Sequence, residues 1–179
     1  MERTGPGSRT ELRTPDFTGD SLPLGRAGSR VAVSAQGDPL TILVADYDHV
    51  MTTLLSARLK NAGYSVVVAH DAMQANMIAL RTLPDAILLD ITMPGGTGMQ
   101  VLRRLKTSVK TSLIPVIIIS ASLDSETIAS AKSAGADEYF GKPPDLDRLL
   151  GVLNGLLHVH TLVETSDGTT SAHNCTPPE

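Results

Sequence analysis

Two carboxylates, a hydroxyl and an ammonium group stand where the chain leaves short apolar segments. Asp46 and Asp90 each end an aliphatic run, Ser120 ends another, and Lys142 follows a fourth. A carboxylate can attack phosphorus to give an acyl phosphate. A divalent cation held by the acids would neutralise the phosphoryl oxygens, and the lysine and the serine would donate to them. These residue types predict phosphoryl transfer onto a carboxylate, provided that the fold brings them together.

Alternating strands and helices would position these side chains. The apolar runs predict strands at 41–46, 64–69, 86–90, 115–120 and 138–141. Four of these runs are flanked by turn residues, as in strands that are buried on both faces. With right-handed crossovers, the alternation predicts an α/β fold with a doubly wound, five-stranded parallel sheet. Ligands bind at the carboxyl ends of such strands, where the four side chains fall.

Apolar residues at helical spacing separate the strands. The first helix is indicated by Met51, Leu55, Leu59 and Ala62, and the second by the stripe Met73, Met77 and Leu80. The last helix has the clearest stripe, formed by Leu146, Leu149, Leu150, Leu153, Leu156 and Leu157. Arg103, Arg104 and Lys106 are expected on the solvated side of the third helix. We interpret 95–98 as a turn and helix start, because it lacks the Gly-Lys-Ser/Thr ending of a nucleotide-binding loop.

The two ends of the chain have a different composition. Residues 1–40 are rich in Gly, Ser, Thr, Pro and Arg, and 161–179 are similar, so both are predicted to be disordered tails around a domain at 41–160. The stretch after the last helix is too short for a DNA-binding or enzymatic output domain. His158 and His160 could suggest a metal pair, but the dipole of the last helix explains them more simply.

Composition narrows the location and the partners. The net charge of -4 argues against a general nucleic-acid binder. The lone Cys175 allows no internal disulfide, which favours a reducing cytoplasm. The sequence has no signal-peptide core and no apolar run long enough to span a bilayer, so no membrane contact is expected.

Three segments resemble the response-regulator receiver family of two-component signalling. The segment at 84–98, PDAILLDITMPGGTG, is similar to its phosphorylation-site region. The segment at 114–121, IPVIIISA, resembles its fourth strand, and that at 135–143, GADEYFGKP, its fifth strand and Lys-Pro turn. The match runs from about 41 to 158 in the right order, and it implies a flavodoxin-like receiver fold.

The resemblance implies a role for each candidate residue. Asp90 is at the phosphoacceptor position, Lys142 at that of the phosphate-contacting lysine, and Ser120 at that of the switch hydroxyl. Tyr139 matches the aromatic switch. Thr92 stands where the family uses a backbone carbonyl as a Mg²⁺ ligand. The family's Lys-Pro bond is typically cis, which an X-Pro bond allows at little cost.

The first strand departs from the family pattern. A typical receiver has two consecutive acids there, whereas Asp46 is followed by Tyr47 and only then by Asp48. The second acid is usually the more direct Mg²⁺ ligand, so a weakened Mg²⁺ site is implied. Asp48 either replaces it, because residues two apart on a strand point the same way, or begins the first helix. Pro144 also stands where an aromatic residue is common.

Two functions follow from the resemblance, and neither is enzymatic. In the first, a histidine kinase or phosphotransfer protein phosphorylates Asp90. A face built from the fourth helix, fifth strand and fifth helix then signals to a separate effector protein. In the second, Tyr47 has impaired the metal site and the domain is a degenerate receiver that binds a partner without phosphorylation. The retained Asp90, Ser120 and Lys142 count against this alternative.

A third hypothesis is an enzyme. The segment at 42–50 also fits the first motif of haloacid-dehalogenase-type phosphatases, with Asp46 as nucleophile and Asp48 as general acid. That hypothesis requires a further acidic metal-binding motif on a later strand, and nothing after Lys142 supplies one.

Overall fold

Five strands and five helices alternate along the chain in the computed structural model, which describes the backbone of residues 38–166 and the side chains of 38–157. The strands are β1 (Thr41–Ala45), β2 (Ser65–Ala69), β3 (Ala86–Leu89), β4 (Val116–Ser120) and β5 (Glu138–Gly141). The helices are α1 (His49–Asn61), α2 (Ala72–Thr82), α3 (Gly98–Thr107), α4 (Ser125–Ser133) and α5 (Leu146–Ser166). Helix α5 continues past the predicted boundary at 160. The remainder of the two predicted tails, Cys175 and the side chains of His158 and His160 lie outside the described residues.

All five strands are parallel and form one sheet in the order β2-β1-β3-β4-β5. The predicted doubly wound parallel sheet is confirmed. The order reverses direction between β1 and β3, which pair with Ala45 opposite Leu89. In sheets of this kind a crevice opens at that reversal, beyond the carboxyl ends of the strands. The residues that follow this pair are Asp46 and Asp90.

Each face of the sheet is covered by helices, so the central strands β1, β3 and β4 are buried on both sides. Ile42 and Val44 pack with α1 and α5, and Leu43 and Ala45 pack with α2, α3 and α4. Successive strand residues point to opposite faces, which explains why nearly every residue of these strands must be apolar. The predicted apolar stripes of the first and last helices are confirmed, since they pack into the α1–α5 core.

The predicted stripe of the second helix is on the wrong side of α2. Met73, Met77 and Leu80 are 69%, 52% and 47% exposed. The buried residues are the alanines Ala72, Ala75 and Ala79. Their small side chains let α2 lie close to the sheet and to α3, and this leaves the larger apolar residues facing outwards. The spacing identified the helix correctly, but side-chain size misled the choice of face.

Helix starts are fixed by side-chain caps. The N-cap residues that accept hydrogen bonds from first-turn N–H groups are Asp48, Asp71, Thr97 and Asp124. Thr97 forms a full capping box with Gln100, and Gly95 and Gly96 precede it with positive φ, so the interpretation of 95–98 as turn and helix start is confirmed. Within the described part of the chain, no helix is long and apolar enough to cross a membrane.

The inverted face of α2 gives a stability prediction. Ala75→Leu should lower the free energy of unfolding by about 1–3 kcal/mol, because it overpacks the contact between α2 and the sheet. Met77→Ala, on the exposed face, should change it by less than about 0.5 kcal/mol. Urea denaturation of both variants measures these values. A larger loss for Met77→Ala than for Ala75→Leu would contradict the observed orientation of the helix.

Candidate functional site

Two buried carboxylates lie side by side at the carboxyl edge of the sheet. Asp46 follows β1 and Asp90 follows β3, and each of these two residues is only 2% exposed. Main-chain hydrogen bonds extend the sheet to both residues: Asp46 N donates to Ala69 O (3.0 Å) and Asp90 N donates to Ala45 O (2.8 Å). Their positions are therefore set by strand pairing rather than by a flexible loop.

Lys142 bridges these two carboxylates. Its Nζ lies 2.6 Å from Asp46 Oδ2 and 2.8 Å from Asp90 Oδ2. It follows β5, and its backbone N–H donates to Ser120 O (2.8 Å). The Lys142–Pro143 peptide bond is cis, as the resemblance implied, and Pro144 beyond it is buried. Two negative charges and one positive charge leave the site with a net charge of -1, so it is suited to bind a cation.

Burial and charge shift the titration of this cluster. Burial raises the pKa of Asp90 above its ordinary value, and the Asp46 charge adds to this, while Lys142 and the Thr92 N–H oppose it. Burial by itself would lower the pKa of Lys142, but the hydrogen bonds and charges of Asp46 and Asp90 outweigh it and raise that pKa. The lysine therefore remains protonated between the two acids.

Asp90 is held at both carboxylate oxygens. Thr92 N donates to Oδ1 (3.0 Å), and Lys142 donates to Oδ2. The loop after Asp90 then turns into α3, where Gly98 N donates to Ile91 O (2.8 Å). A Cβ at Gly98 would lie 2.0 Å from Asp90 O, so only glycine fits there. The start of α3 is thereby packed directly on the backbone of Asp90.

Asp48 acts as the N-cap of α1 in the structure. One carboxylate oxygen accepts from Val50 N (2.8 Å) and Met51 N (3.3 Å). Its own N–H donates to Asp46 Oδ1 (2.9 Å), which orients that carboxylate. Its side chain is exposed, and this geometry supports the helix-start interpretation of Asp48 over the ligand-replacement one.

Tyr47 lies beside the lysine at the edge of the site. Its ring is half exposed, and its centroid is 5.7 Å from Lys142 Nζ, within the range of a cation–π contact. An apolar ring thus stands at the position where a second acid would have brought a further negative charge.

Ser120 and Tyr139 are linked through a residue that the sequence did not single out. Ser120 is buried at the end of β4, and its Oγ accepts from Ser122 N (3.3 Å). The Tyr139 hydroxyl donates to Ser122 O (2.6 Å), and its ring is buried. Ser122 also donates through its Oγ to Asp124, the N-cap of α4. Ser120 and Asp124 are its neighbours along the chain, but only the tertiary structure brings Ser122 to Tyr139.

Asp124 is tightly hydrogen-bonded in that position. The Ser122 hydroxyl, followed by the backbone and side chain of Thr127, lowers the pKa of Asp124 to about 2. A continuous set of hydrogen bonds therefore runs from Ser120 in the crevice through Ser122 to the beginning of α4.

The donor set fits a hard divalent cation. Asp46 and Asp90 supply carboxylate oxygens, and the Thr92 carbonyl belongs to the loop held by Asp90. Mg²⁺ commonly binds through one or two carboxylates and keeps several waters. Among the described residues there is no group of three or more His, Cys, Asp or Glu side chains placed to hold a metal.

Comparison with known proteins finds a matching family and similar sequences. The family model described as the response regulator receiver domain matches residues 42–154. Protein PilH of Pseudomonas aeruginosa is 34% identical over 65% of this chain and 96% of its own length. The DNA-binding dual master transcriptional regulator RpaA of Synechocystis is 34% identical over 65% of this chain. The chain spans about half the length of several such curated relatives, 48% in the case of RpaA.

Solved structures agree with these matches. A putative response regulator from Chloroflexus aurantiacus has a TM-score of 0.65 at 28% identity, over 68% of this chain and 99% of that one. The receiver domain of the sensor histidine kinase PA1611 from Pseudomonas aeruginosa has a TM-score of 0.62 at 27% identity, over 66% of this chain and 98% of that one. That structure has a magnesium ion coordinated in its active-site cleft.

The contact between Gly98 and Asp90 gives a second stability prediction. Gly98→Ala should lower the free energy of unfolding by about 3 kcal/mol or more, because the added methyl group meets backbone that cannot rotate away. Gly155→Ala is the matched control, since nothing lies within 4 Å of its position on α5. It should raise stability by up to about 1 kcal/mol through helix propensity. Thermal or urea unfolding measures both, and equal small effects would refute the close packing at Asp90.

Proposed function

The chain belongs to the response-regulator receiver family, and we propose that it accepts a phosphoryl group on Asp90 from a histidine kinase or a phosphotransfer protein. The observation that carries the proposal is the bridge from Lys142 to both Asp46 and Asp90 in one crevice. It combines a nucleophile, a second cation-binding carboxylate and a fixed positive charge at the site of transfer.

The transfer step requires one bond to form and one to break. A carboxylate oxygen of Asp90 attacks the phosphorus of a phosphohistidine, the P–N bond breaks, and the imidazole leaves with the electron pair and takes up a proton. Lys142 and the Ser120 hydroxyl donate to the phosphoryl oxygens. Asp46, Asp90 and the Thr92 carbonyl would hold Mg²⁺. When bound, Mg²⁺ neutralises charge on the phosphoryl oxygens.

Partner docking would begin beside the crevice. The donor's phosphohistidine must reach Asp90, so its protein has to cover the rim of the site. Tyr47, Val50 and Leu54 form an exposed apolar edge there, at 50%, 77% and 45% exposure. This edge, together with the start of α1, is a suitable surface for the phosphodonor.

Output would pass through the hydrogen bonds at Ser122. When the Ser120 hydroxyl turns to the phosphoryl group, the hydrogen bond that it accepts from Ser122 N is weakened. Ser122 O in turn accepts the hydrogen bond of the Tyr139 hydroxyl. Movement of Ser122 would also disturb the cap of α4. A shallow groove on the α4–β5–α5 face, lined by Leu123, Ile128, Lys132 and Arg148 among others, is the surface that we assign to a separate effector protein.

We place this activity in a receiver domain at 41–160, flanked by the two tails, and acting in the cytoplasm without nucleic-acid or membrane contact of its own. The match to PilH covers 96% of that protein's length, so at least one relative consists of little more than the matched domain.

A degenerate receiver is the alternative function, and Tyr47 is the observation that favours it. The ring at this position removes a Mg²⁺ ligand, and Asp48 is engaged as the cap of α1. The intact pairing of Lys142 with two buried carboxylates favours the phosphoacceptor function, in which Mg²⁺ binds but more weakly than with two acids.

Phosphorylation by a small donor tests the main proposal. Full-length protein incubated with acetyl phosphate and Mg²⁺ should gain one labile phosphoryl group by intact mass, and Asp90→Asn should gain none. Asp48→Asn is the matched control, because it changes an acid outside the bridge and should still be labelled. An unlabelled wild-type protein at high Mg²⁺ concentration would favour the degenerate receiver. Labelling that survives Asp90→Asn but is lost in Asp46→Asn would favour a phosphatase-like enzyme.

The role of Tyr47 is tested by restoring the acid. Tyr47→Asp should bind Mg²⁺ at least about tenfold more tightly, because a third carboxylate would join a site of net charge -1. Tyr47→Phe is the control and should bind Mg²⁺ like the wild type. Isothermal titration calorimetry measures both affinities. Equal affinity of Tyr47→Asp and Tyr47→Phe would show that this position does not limit cation binding.

A further inference from the structure

The outward face of α2 forms an apolar groove with α3. Met73, Met77 and Leu80 line it from α2, and Val101 and Arg104 from α3, around a cleft of about 220 Å³. Met73, Met77 and Leu80 are each about half exposed or more and share one face of the helix. Contiguous exposed apolar patches of this kind mark interaction sites. Methionine side chains are flexible and suit surfaces that adapt to a bound segment.

The groove is basic towards the C-terminal ends of α2 and α3, whereas Asp71, the N-cap of α2, lies beside Gly95 at its other end. Arg104 is the charged residue in its lining, and Arg81 and Arg103 lie on the same two helices. Neither α2 nor α3 contains an acidic residue. A second copy of the groove would place these arginines against each other, so the pattern favours an acidic and apolar occupant over self-association.

The sequence contains such a segment in its own N-terminal part. Residues 15–24 read PDFTGDSLPL, with two acids, Asp16 and Asp20, and three large apolar residues, Phe17, Leu22 and Leu24. The stretch between Arg13 and Arg26 contains no basic residue. Its chemistry is therefore complementary to that of the groove.

The chain enters the domain next to the end of α2. Thr41 N donates to Asp85 Oδ2 (2.6 Å), and Asp85 N donates to Thr41 O (2.8 Å). Asp85 lies three residues after Thr82, the last residue of α2. The N-terminal part of the chain thus starts from the same end of the domain as Leu80 and Arg104.

The tether is long enough for docking within one molecule. Residues 25–37 separate the segment from the described part of the chain, and thirteen residues extend to at most about 45 Å. Helix α2 has 11 residues and is about 16 Å long. A connection of this length would give an effective concentration on the order of 1 mM, so even a weak contact would be substantially occupied.

We propose that residues 15–24 dock in the α2–α3 groove of the same molecule. Phe17, Leu22 and Leu24 cover the stripe formed by Met73, Met77 and Leu80, and the two aspartates lie towards the arginines. The concave shape of the groove and its place beside the chain entry favour this occupant over a lipid surface. The proposal concerns a surface apart from Asp90 and does not depend on its phosphorylation.

Paramagnetic labelling of the full-length chain tests the proposal. A nitroxide on Ser21→Cys, in a Cys175→Ser background, should reduce the methionine methyl NMR signals of Met73 and Met77 by about half or more, given near-millimolar effective concentration. Met51 packs on the opposite face of the sheet and should keep its intensity. The loss should be unchanged on dilution, because the contact is intramolecular.

Matched variants distinguish a specific contact of residues 15–24 from nonspecific proximity of the nitroxide label. Phe17→Ser with Leu22→Ser and Leu24→Ser should restore the two signals, whereas Val31→Ser with Val33→Ser should not. Met77→Glu should restore the Met73 signal, whereas Val109→Glu, at a 96% exposed position away from the groove, should not. Undiminished signals in the labelled wild type, or equal losses at Met51, would overturn the proposal. A loss that disappears on dilution would assign the groove to a second copy and overturn it as well.

Discussion

The contact of one ammonium group with two buried carboxylates is the constraint on which the rest of the site depends. Two acids at 2% exposure on neighbouring strand ends would repel each other strongly without a counter-charge. Lys142 supplies that charge from the far side of the crevice, after the edge strand β5. The arrangement therefore requires the order β2-β1-β3-β4-β5, which brings the end of β5 within reach of the ends of β1 and β3.

The same constraint underlies the phosphoryl transfer that we propose for this site. Lys142 neutralises one of the two carboxylates, and a divalent cation can offset the remaining negative charge. An incoming phosphoryl group would bring oxygens for both the lysine ammonium and the divalent cation. Tyr47 alters this balance by removing a further acid and placing a ring beside Lys142. The departure from the family pattern thus lies beside Lys142 at the edge of the site, while Lys142 still bridges Asp46 and Asp90.

Sequence patterns predicted the fold and the main site residues because those features are local. Buried parallel strands require continuous apolar runs, and strand ends give the positions of Asp46, Asp90, Ser120 and Lys142 directly. Ser122 could not be predicted, because its local hydrogen bonds with Ser120 and Asp124 gain importance only through the tertiary contact with the Tyr139 hydroxyl. The face of α2 was predicted wrongly, since helical periodicity does not show whether large residues or alanines lie inside.

The contact of Gly98 with the backbone of Asp90 has a consequence for how such a domain can diverge. The Asp90 carboxylate is placed by main-chain neighbours, namely strand pairing, the Thr92 N–H and the start of α3. The outer surfaces of α2 and α3 play no part in that placement, so substitutions there would leave the position of the Asp90 carboxylate unchanged. What the α2–α3 surface binds can therefore differ without displacing the carboxylate of Asp90.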